Sequence, residues 1–507
     1  MKKVPETLPT DVTALQELVV ALREQNDDLT SKYQRLVDMF RLAQQKRFGN
    51  SSEAYPGQGE LFNEAEELVE QAAEDDDETK SPRKKPKRQK LSADIPRERV
   101  IHDIAQEDKF CDCCHGELHQ IGEDTNEKLE FIPAQVKVIV NVRPKYACQA
   151  CEKNGTSNKI KQAPVPASVI PKGYATPSLL SQIITSKYQY GLPLYRQEAM
   201  FKQYGIELSR KTTAQWMMRC ADILQILYDR LRQILLEQPV MFADETTLKV
   251  GGDNKSKSYM WLYASGADSP DGKLTGTVIP NIVLYDYNIS RAAQVAVDYL
   301  DGYDGYLHVD GYPGYHKTQA TLVGCWAHAR RKFTDAQKAM GKHKSGKIDW
   351  ALNHIQKLYR VETQIKDKTI DERYRIRQEK SLPLLAQFKT WLIKSEQQVI
   401  AKNDLSDAIQ YCLNQWEKLE RYTLDGRLSI DNNRSERAIK SFVTGRKSWL
   451  FSQTANGAQS SAVLFSMVES AKANGLTPYD YIKYLLELFS LPEPDVEQLL
   501  PWNVNLD

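Results

Sequence analysis

Two aspartates that follow short apolar runs are the residues in this chain best suited to chemistry. Asp244 comes after Val-Met-Phe-Ala, and Asp310 comes after Tyr-Leu-His-Val. If these runs form neighbouring strands, the two carboxylates lie about one strand spacing apart, ~5 Å. That separation suits two divalent cations held roughly 3.5–4 Å apart for in-line phosphoryl transfer. Oxygen ligands favour magnesium, with manganese as a substitute. The alternative is that each aspartate is a turn or cap residue.

A third carboxylate, Glu436, stands in a basic segment that is predicted to be helical. At about 100° per residue, Glu436 lies at the border of an apolar arc. The arc contains Ala438, Ile439, Phe442 and Val443. Such a helix docks on a core and directs a carboxylate along its edge. A capping box, with Asn433 as N-cap and Glu436 as its partner, is the alternative.

Three cations flank Glu436 on the same helix and are candidates for contacts with DNA phosphates. They are Arg434, Arg437 and Lys440. Cations beside a carboxylate suit a metal ion that acts on a phosphate backbone. The alternative is a solvated charged face.

Around these carboxylates, the order of strand and helix signals predicts a catalytic core. From Val240 onward, three strands are followed by a helix, a strand and another strand. This is the order of the ribonuclease-H-like fold, an analogy at the level of fold only. We therefore expect a ribonuclease-H-like α/β core over 238–330 and 429–455. Few strand signals occur at 331–428, which predicts an all-helical insertion, and 456–507 is predicted to be a helical C-terminal region.

Two pairs of cysteines predict a structural zinc site. Each pair has the Cys-x-x-Cys spacing, and four thiolates complete a tetrahedral zinc site. The pairs are Cys111 with Cys114 and Cys148 with Cys151. We assign them to a zinc-binding module at 101–165. Cys113 and His115 are weaker alternative ligands, and a set of reduced buried cysteines is the alternative without metal.

Residues 175–237 have the pattern of a helix-turn-helix. A first helix runs into Gly205, and Ser209 is placed to cap a second helix from Arg210 to Arg219. Side chains at the start of that helix are candidates for contacts with base edges and phosphates. They are Lys211, Thr212 and Gln215. An ordinary helical hairpin is an equal alternative.

The N-terminal region combines a heptad repeat with a charged linker. Leucines occupy every d position, and Asn26 stands at an a position, which is typical of a parallel two-stranded coiled coil. The leucines are Leu15, Leu22, Leu29 and Leu36. We predict a coiled coil over 11–48 that forms a homodimer or higher oligomer. The alternative is a helix packed on its own domain. Segregated acidic and basic runs predict a linker over 52–100.

Composition limits where DNA can bind. The chain has 507 residues and a formal net charge of +1, so any nucleic-acid surface must be local. No run approaches the ~18 apolar residues that a membrane span requires. We expect a cytoplasmic, multidomain α+β protein with no membrane association.

Several longer motifs fit the same arrangement. They are Lys46–Gly49, Arg143–Cys148, Ala243–Thr246, Val309–Tyr315, Gly324–Arg330, Asp431–Arg437 and Ala471–Gly475. With the zipper, the cysteine module and the helix-turn-helix, they resemble the insertion-sequence-66 family of bacterial DDE transposases. The resemblance covers nearly the whole chain.

The resemblance implies specific roles for the site residues. Asp244, Asp310 and Glu436 match the family's catalytic triad, which would bind magnesium or manganese. Cys325 and His328 look like the Cys-x-x-His signature of several DDE families and would support the site. A buried thiol beside a capping or phosphate-contacting histidine is the alternative for this pair. Accessory proteins encoded by the same element are plausible partners.

We therefore expect a transposase that binds terminal inverted repeats in double-stranded DNA. It would cleave the ends and join the exposed 3′-hydroxyl to target DNA. Two alternatives stay open. The first is a DNA-binding regulator or a domesticated relic that binds ends without cutting. The second is a ribonuclease-H-like nuclease that acts on branched DNA.

Overall fold

The structure is a computed structural model that describes residues 98–99, 135–146, 160–251, 257–266, 279–340, 346–399 and 403–506. The predicted coiled coil, the four predicted zinc cysteines and all of the predicted linker except Glu98 and Arg99 lie outside these residues. The chain divides into two units, Asp76–Pro144 and the remainder. Every element named below belongs to the remainder, beginning with a short antiparallel pair, β1 (Lys145–Tyr146) and β2 (Lys161–Gln162).

Three helices precede the main sheet. They are α1 (Pro177–Tyr188), α2 (Leu194–Gln203) and α3 (Arg210–Leu236). The turn after α2 contains Gly205, whose φ of +76° suits a residue without a Cβ. Ser209 caps α3, because its hydroxyl accepts a 3.2 Å hydrogen bond from the Thr212 N–H. The order of helix, glycine turn and capped helix is the one expected from the sequence.

Helix α3 continues well beyond Arg219, where the expected second helix ends. Its later turns bury Leu224, Leu227 and Leu231 completely. The Tyr228 hydroxyl donates a 2.9 Å hydrogen bond to a carbonyl of the main sheet, that of Tyr285. One continuous helix therefore joins the predicted DNA-binding region to the sheet.

Five strands form one mixed sheet in the order β5-β4-β3-β6-β7. They are β3 (Val240–Leu248), β4 (Ser258–Ser265), β5 (Ile282–Asn288), β6 (Tyr306–His308) and β7 (Thr321–Val323). β3, β4 and β5 pair antiparallel, whereas β6 runs parallel to β3 and β7 runs parallel to β6. The central strands are nearly continuous apolar runs, as expected for strands covered on both faces.

Helices connect and cover these strands. Between β5 and β6 lies α4 (Ala293–Tyr299), and a 3₁₀ turn, Pro313–Lys317, leads to β7. The helices that follow β7 are α5 (Trp326–Met340), α6 (Gly346–Gln364), α7 (Ile370–Ile376), α8 (Leu382–Glu396), α9 (Asp404–Asn414) and α10 (Trp416–Glu420). A π-helical segment, Arg377–Ser381, joins α7 to α8. Among the described residues of 331–428 there is no strand, in line with the expected helical insertion.

Three further α-helices follow in the described part of the chain, before a final 3₁₀ turn, Val496–Leu499. They are α11 (Asn433–Trp449), α12 (Ala455–Ala473) and α13 (Pro478–Leu488). The serine-rich α12 covers the outer edge of β5. Its Ser466 hydroxyl accepts from Tyr285 N–H at 2.8 Å, and Ser470 bonds both the N–H and the carbonyl of Val283 at 3.0 Å. These hydroxyls satisfy backbone groups that an open edge would leave for another chain to pair with. Within the described residues, no helix is long and apolar enough to cross a membrane.

Candidate functional site

Strand alternation separates two adjacent carboxylates, Asp244 and Glu245. Asp244 pairs across the sheet with Leu262, and Leu262 pairs with Tyr285. These three side chains share one face, and the Tyr285 hydroxyl donates to the Ala438 carbonyl of α11 at 2.6 Å. Asp244 therefore faces α11, and Glu245 points to the opposite face because successive strand residues alternate.

On that opposite face, Glu245 has partners of its own. Arg291 Nε donates to its Oε1 at 3.0 Å, and the Tyr315 hydroxyl donates to its Oε2 at 2.8 Å. Both oxygens are occupied, so Glu245 is held in a buried network behind the sheet.

Asp310 lies beside Asp244 because of the parallel register of β3 and β6. Phe242 is paired with His308, and each aspartate comes two residues further along its chain. Gly311 turns the backbone here with φ of +108°, and Asp310 Oδ1 accepts from the Tyr312 N–H at 3.0 Å. The sequence prediction that the two aspartates belong to neighbouring strands is thus matched by the observed pairing, but Asp244 lies within β3 and does not follow it.

Burial and neighbouring carboxylates act together on Asp244. Burial raises the pKa of Asp244 well above its usual range, and the negative charges of Asp310, Glu245 and Glu436 raise it further. A group of crowded carboxylates with oxygen donors is the donor set that a hard divalent cation neutralises. Asp244 and Asp310 therefore fit magnesium on the chemistry of their donors.

Glu436 occupies the first turn of α11 and is almost fully buried. Its Oε1 lies 3.2 Å from His328 Nδ1 and 3.8 Å from Cys325 Sγ, and its Oε2 lies 3.5 Å from Arg331 Nη2. The capping-box interpretation is wrong. The N-cap of α11 is Asn432, not Asn433, and it makes no side-chain capping bond.

Cys325 and His328 lie at the start of α5 and meet Glu436 there. Within the described residues, one group of three potential metal ligands was found whose atoms all lie within 4.8 Å of one another, and it consists of Cys325, His328 and Glu436. Burial raises the pKa of the Cys325 thiol and lowers that of His328. Both groups are therefore uncharged at neutral pH when no metal is bound. Asp244 and Asp310 do not join Glu436 in so compact a group among these residues.

The segment before α11 fixes the position of this helix. Asn432 is fully buried, and its side-chain amide donates to the Ala243 carbonyl of β3 at 2.9 Å, while its backbone N–H donates to Cys325 Sγ at 3.2 Å. Asp431 is also buried, and it accepts from the Tyr359 hydroxyl at 3.2 Å and the Asn433 amide at 3.0 Å. These bonds tie α11 to the strand that carries Asp244.

The three cations predicted to contact phosphates have different environments. Arg434 is buried, and its Nε donates to the Ser265 carbonyl at 2.8 Å. This placement contradicts a phosphate contact, because the guanidinium holds α11 against the end of β4. Arg437 and Lys440 are half-buried on the same helix, and both remain candidates.

The predicted base-contacting residues stand at the N-terminus of α3. Lys211 and Gln215 are exposed. Thr212 is half-buried, and its hydroxyl lies 2.9 Å from the Ser209 hydroxyl, within the helix cap. Lys211 and Gln215 are therefore the more accessible of the three.

Sequence reasoning missed residues that hold the site together. They are Glu245, Arg331, Asp431 and Asn432. Two of these, Asp431 and Asn432, stand in the motif that contains Glu436, which is the signal that could have drawn attention to them. The role of Arg331 depends on a contact between α5 and α11 and has no signature in local spacing.

Comparison with known proteins identifies the family. A family model described as the IS66 transposase family matches residues 172–460, more than half of the chain. The chain belongs to the IS66 transposase family. Models for the IS66 zinc-finger binding domain and the IS66 C-terminal element match residues 108–152 and 466–502. A model described as transposase C of IS166 homeodomain matches residues 35–100, which include the predicted charged linker at 52–100.

Curated relatives share most of the chain length. Uncharacterized protein y4jD of Sinorhizobium fredii is 36% identical over 431 residues, which is 82% of each chain. Uncharacterized protein y4qI of the same organism is 36% identical over 80% of this chain and 76% of its own. Uncharacterized protein y4hP is 32% identical over 83% of this chain and 77% of its own. Membership of the IS66 family indicates a transposase, broadly a DNA-processing enzyme.

Proposed function

We propose that this IS66 family member is a DDE-type transposase that cleaves the ends of its element and joins them to target DNA. The observation that carries the proposal is the arrangement around Asp244. Its pKa is raised by burial and by Asp310 and Glu436, which arrive from separate elements. Carboxylates that lie close together despite their mutual repulsion are typical of an active site that binds cations.

The strand order supports a ribonuclease-H-like core in this proposal. Three antiparallel strands are followed, across a helix, by two strands that run parallel to the first. The first strand and the strand beside it bring two carboxylates to one place, and α11 supplies the third. The shared strand order is an analogy of fold, and the carboxylates carry the functional argument.

In the proposed reaction, Asp244, Asp310 and Glu436 would hold divalent cations at the scissile phosphate. Bound magnesium, or manganese, would neutralise developing charge and make the attacking oxygen more acidic. Arg331 would keep Glu436 oriented through the contact to its Oε2, and Asn432 would keep α11 against β3. These residues position the carboxylates before DNA arrives.

The two proposed steps use the same site. In the first step, a water oxygen attacks the phosphorus at the element end, and the bond to the 3′ oxygen breaks and leaves a 3′-hydroxyl. In the second, that hydroxyl attacks a target phosphate, and one target P–O bond breaks as the new bond forms. No covalent link to the protein is needed.

Exposed residues on the helix-turn-helix and half-buried cations on α11 would hold the DNA. We propose that Lys211 and Gln215 contact the inverted repeat from the start of α3, and that Arg437 and Lys440 contact phosphates near the carboxylates. The zinc-finger match supports a structural zinc ion bound by the four cysteines, Cys111, Cys114, Cys148 and Cys151. We place this reaction in the bacterial cytoplasm, where the chromosome lies.

The test is cleavage of a duplex that carries the element's own end, by the purified full chain with magnesium. We expect Asp244→Asn, Asp310→Asn and Glu436→Gln each to lower cleavage by at least roughly 100-fold, the scale of losing a preorganised electrostatic contact. Binding of the same duplex should stay within a few-fold of the parent.

Asp335→Asn is the matched control, because Asp335 is exposed on α5 and the substitution makes the same change in charge. It should cleave like the parent. Parent-like cleavage by any one of the three triad variants contradicts the assignment. Binding of end DNA without metal-dependent cleavage by the parent favours the regulator instead.

A further inference from the structure

The group formed by Cys325, His328 and Glu436, here the Cys-His-Glu cluster, has a donor set unlike that of the two aspartates. One sulfur, one imidazole nitrogen and one carboxylate oxygen lie within 4.8 Å of one another. Sulfur and imidazole donors select zinc and other thiophilic ions, whereas magnesium prefers oxygen donors alone. The cluster therefore suits a different metal from the proposed catalytic cations.

The distances from the sulfur and from the nitrogen to the carboxylate oxygen are close to those around a tetrahedral zinc ion. With Zn–S of about 2.3 Å and Zn–N and Zn–O of about 2.1 Å, tetrahedral angles put sulfur and oxygen about 3.6 Å apart and nitrogen and oxygen about 3.4 Å apart. The cluster has 3.8 Å between Cys325 Sγ and Glu436 Oε1, and 3.2 Å between His328 Nδ1 and the same oxygen. Little movement is required to receive an ion.

Among the described residues, the Nδ1 atom of His328 is not held by a hydrogen bond. Its Nδ1 is buried, and within the described part of the chain it has no hydrogen-bond partner, although Glu436 Oε1 is only 3.2 Å away. A buried ring nitrogen that is left unsatisfied carries a free-energy cost. A metal ion bound between His328 Nδ1 and Glu436 Oε1 would give both atoms a partner.

Neighbouring groups contact the sulfur and fix the carboxylate. Cys325 Sγ accepts the backbone N–H of Asn432 at 3.2 Å and that of His328. Cys325 directly precedes α5, so its sulfur lies beside the N-terminus of this helix. Arg331 contacts Glu436 Oε2, which leaves Oε1 directed at the cluster.

We propose that Cys325, His328 and Glu436 bind one zinc ion, in addition to the zinc expected in the cysteine module at 101–165. Three protein ligands leave a fourth coordination position for water. The assignment depends on the geometry of the cluster. Glu436 would be shared with the proposed catalytic site: its Oε1 would bind zinc, and its Oε2, which Arg331 contacts at 3.5 Å, would remain for the catalytic cations.

The test counts zinc in the full chain. Parent, Cys325→Ser, His328→Ala and Cys220→Ser are purified without chelators, dialysed against metal-free buffer and measured by elemental analysis. Cys220 is the matched control, because it is an equally buried cysteine within α3. We expect the parent and Cys220→Ser to hold equal zinc, and Cys325→Ser and His328→Ala to hold about one ion fewer per chain. Equal zinc in all four proteins overturns the proposal.

Two further measurements separate metal loss from misfolding. Circular dichroism of each variant checks that the fold is retained. If Cys325→Ser does not fold, His328→Ala, which keeps the buried thiol, decides the question. Loading with Co²⁺ gives a second readout, since thiolate ligation adds a charge-transfer band. Part of that band should disappear in Cys325→Ser and persist in Cys220→Ser, and an unchanged spectrum in Cys325→Ser contradicts the site. Failure of this test leaves the cleavage test unaffected.

Discussion

Asp244 and Glu245 show at the residue scale how position decides the chemistry of identical groups. They are adjacent carboxylates in one strand, yet one faces α11 and the other is bonded to Arg291 and Tyr315. Arg434 was predicted to contact phosphates. In the structure it is buried and donates to a backbone carbonyl instead. Residue type alone did not distinguish these roles.

The raised pKa of Asp431 predicts how the stability of the fold depends on pH. Burial raises its pKa to about 7, from an ordinary value of about 3.9 in the unfolded chain. The protonated form is favoured by folding, so this contribution to stability is fully present below about pH 4 and is lost as pH rises through about 7. We expect metal-free Asp431→Asn to lose less stability than the parent between pH 5 and pH 8, by up to a few kcal/mol.

Thermal unfolding in metal-free buffer across that range measures the effect. Asp335→Asn provides the control, since an exposed aspartate should leave the parent's pH dependence unchanged. A parent and an Asp431→Asn variant with parallel pH profiles would show that Asp431 does not titrate as inferred.

At the scale of elements, Arg377 holds together the region between the sheet and α11. It is fully buried in the π-helical segment, and its Nη2 lies 2.6 Å from Glu362 Oε2 on α6. It also donates to the carbonyls of Tyr422, Asp425 and Leu428, at 2.8–2.9 Å. Those carbonyls belong to the segment that leads into α11, so Arg377 fixes the path by which Glu436 reaches the site.

Arg377→Met should therefore destabilise the protein by roughly 3–5 kcal/mol, the scale of removing one partner from a buried ion pair. Chemical denaturation measures the change in the free energy of unfolding. Arg375→Met is the control, because its pair with Glu379 is exposed and 3.9 Å long, and the cost should stay below about 1 kcal/mol. Similar losses in the two variants would contradict a special role for Arg377.

At the scale of the whole molecule, the proposed transposition would hold both element ends together, and we expect this to require at least two protomers. The coiled coil predicted at 11–48 is the segment that would supply this pairing. Leu22→Pro with Leu29→Pro should convert the full chain from a dimer or higher oligomer to a monomer, because proline breaks the helix that carries the heptads.

Analytical ultracentrifugation of the full chain measures this change. Gln58→Pro is the control, since it introduces a proline outside the heptads and should leave the oligomer intact. A parent chain that is monomeric at high concentration, or a double variant that still associates like the parent, would contradict the prediction.

The sequence by itself determined the order of the parts and the identity of the proposed carboxylates. The apolar runs that end in Asp244 and Asp310 are local patterns, and so is the apolar arc beside Glu436, which has a period of about 3.6 residues. Local spacing also indicated the glycine turn and the Ser209 cap, because both depend on the backbone of a few neighbouring residues.

Only the tertiary structure decided which groups meet. Contacts of Glu436 with His328 and Arg331, and of Asn432 with Ala243, join residues about a hundred or more positions apart. Burial of Arg434 and the covering of β5 by α12 likewise depend on how helices pack on the sheet. Local patterns do not predict such packing, since many arrangements of the same helices and strands satisfy the same periodicity.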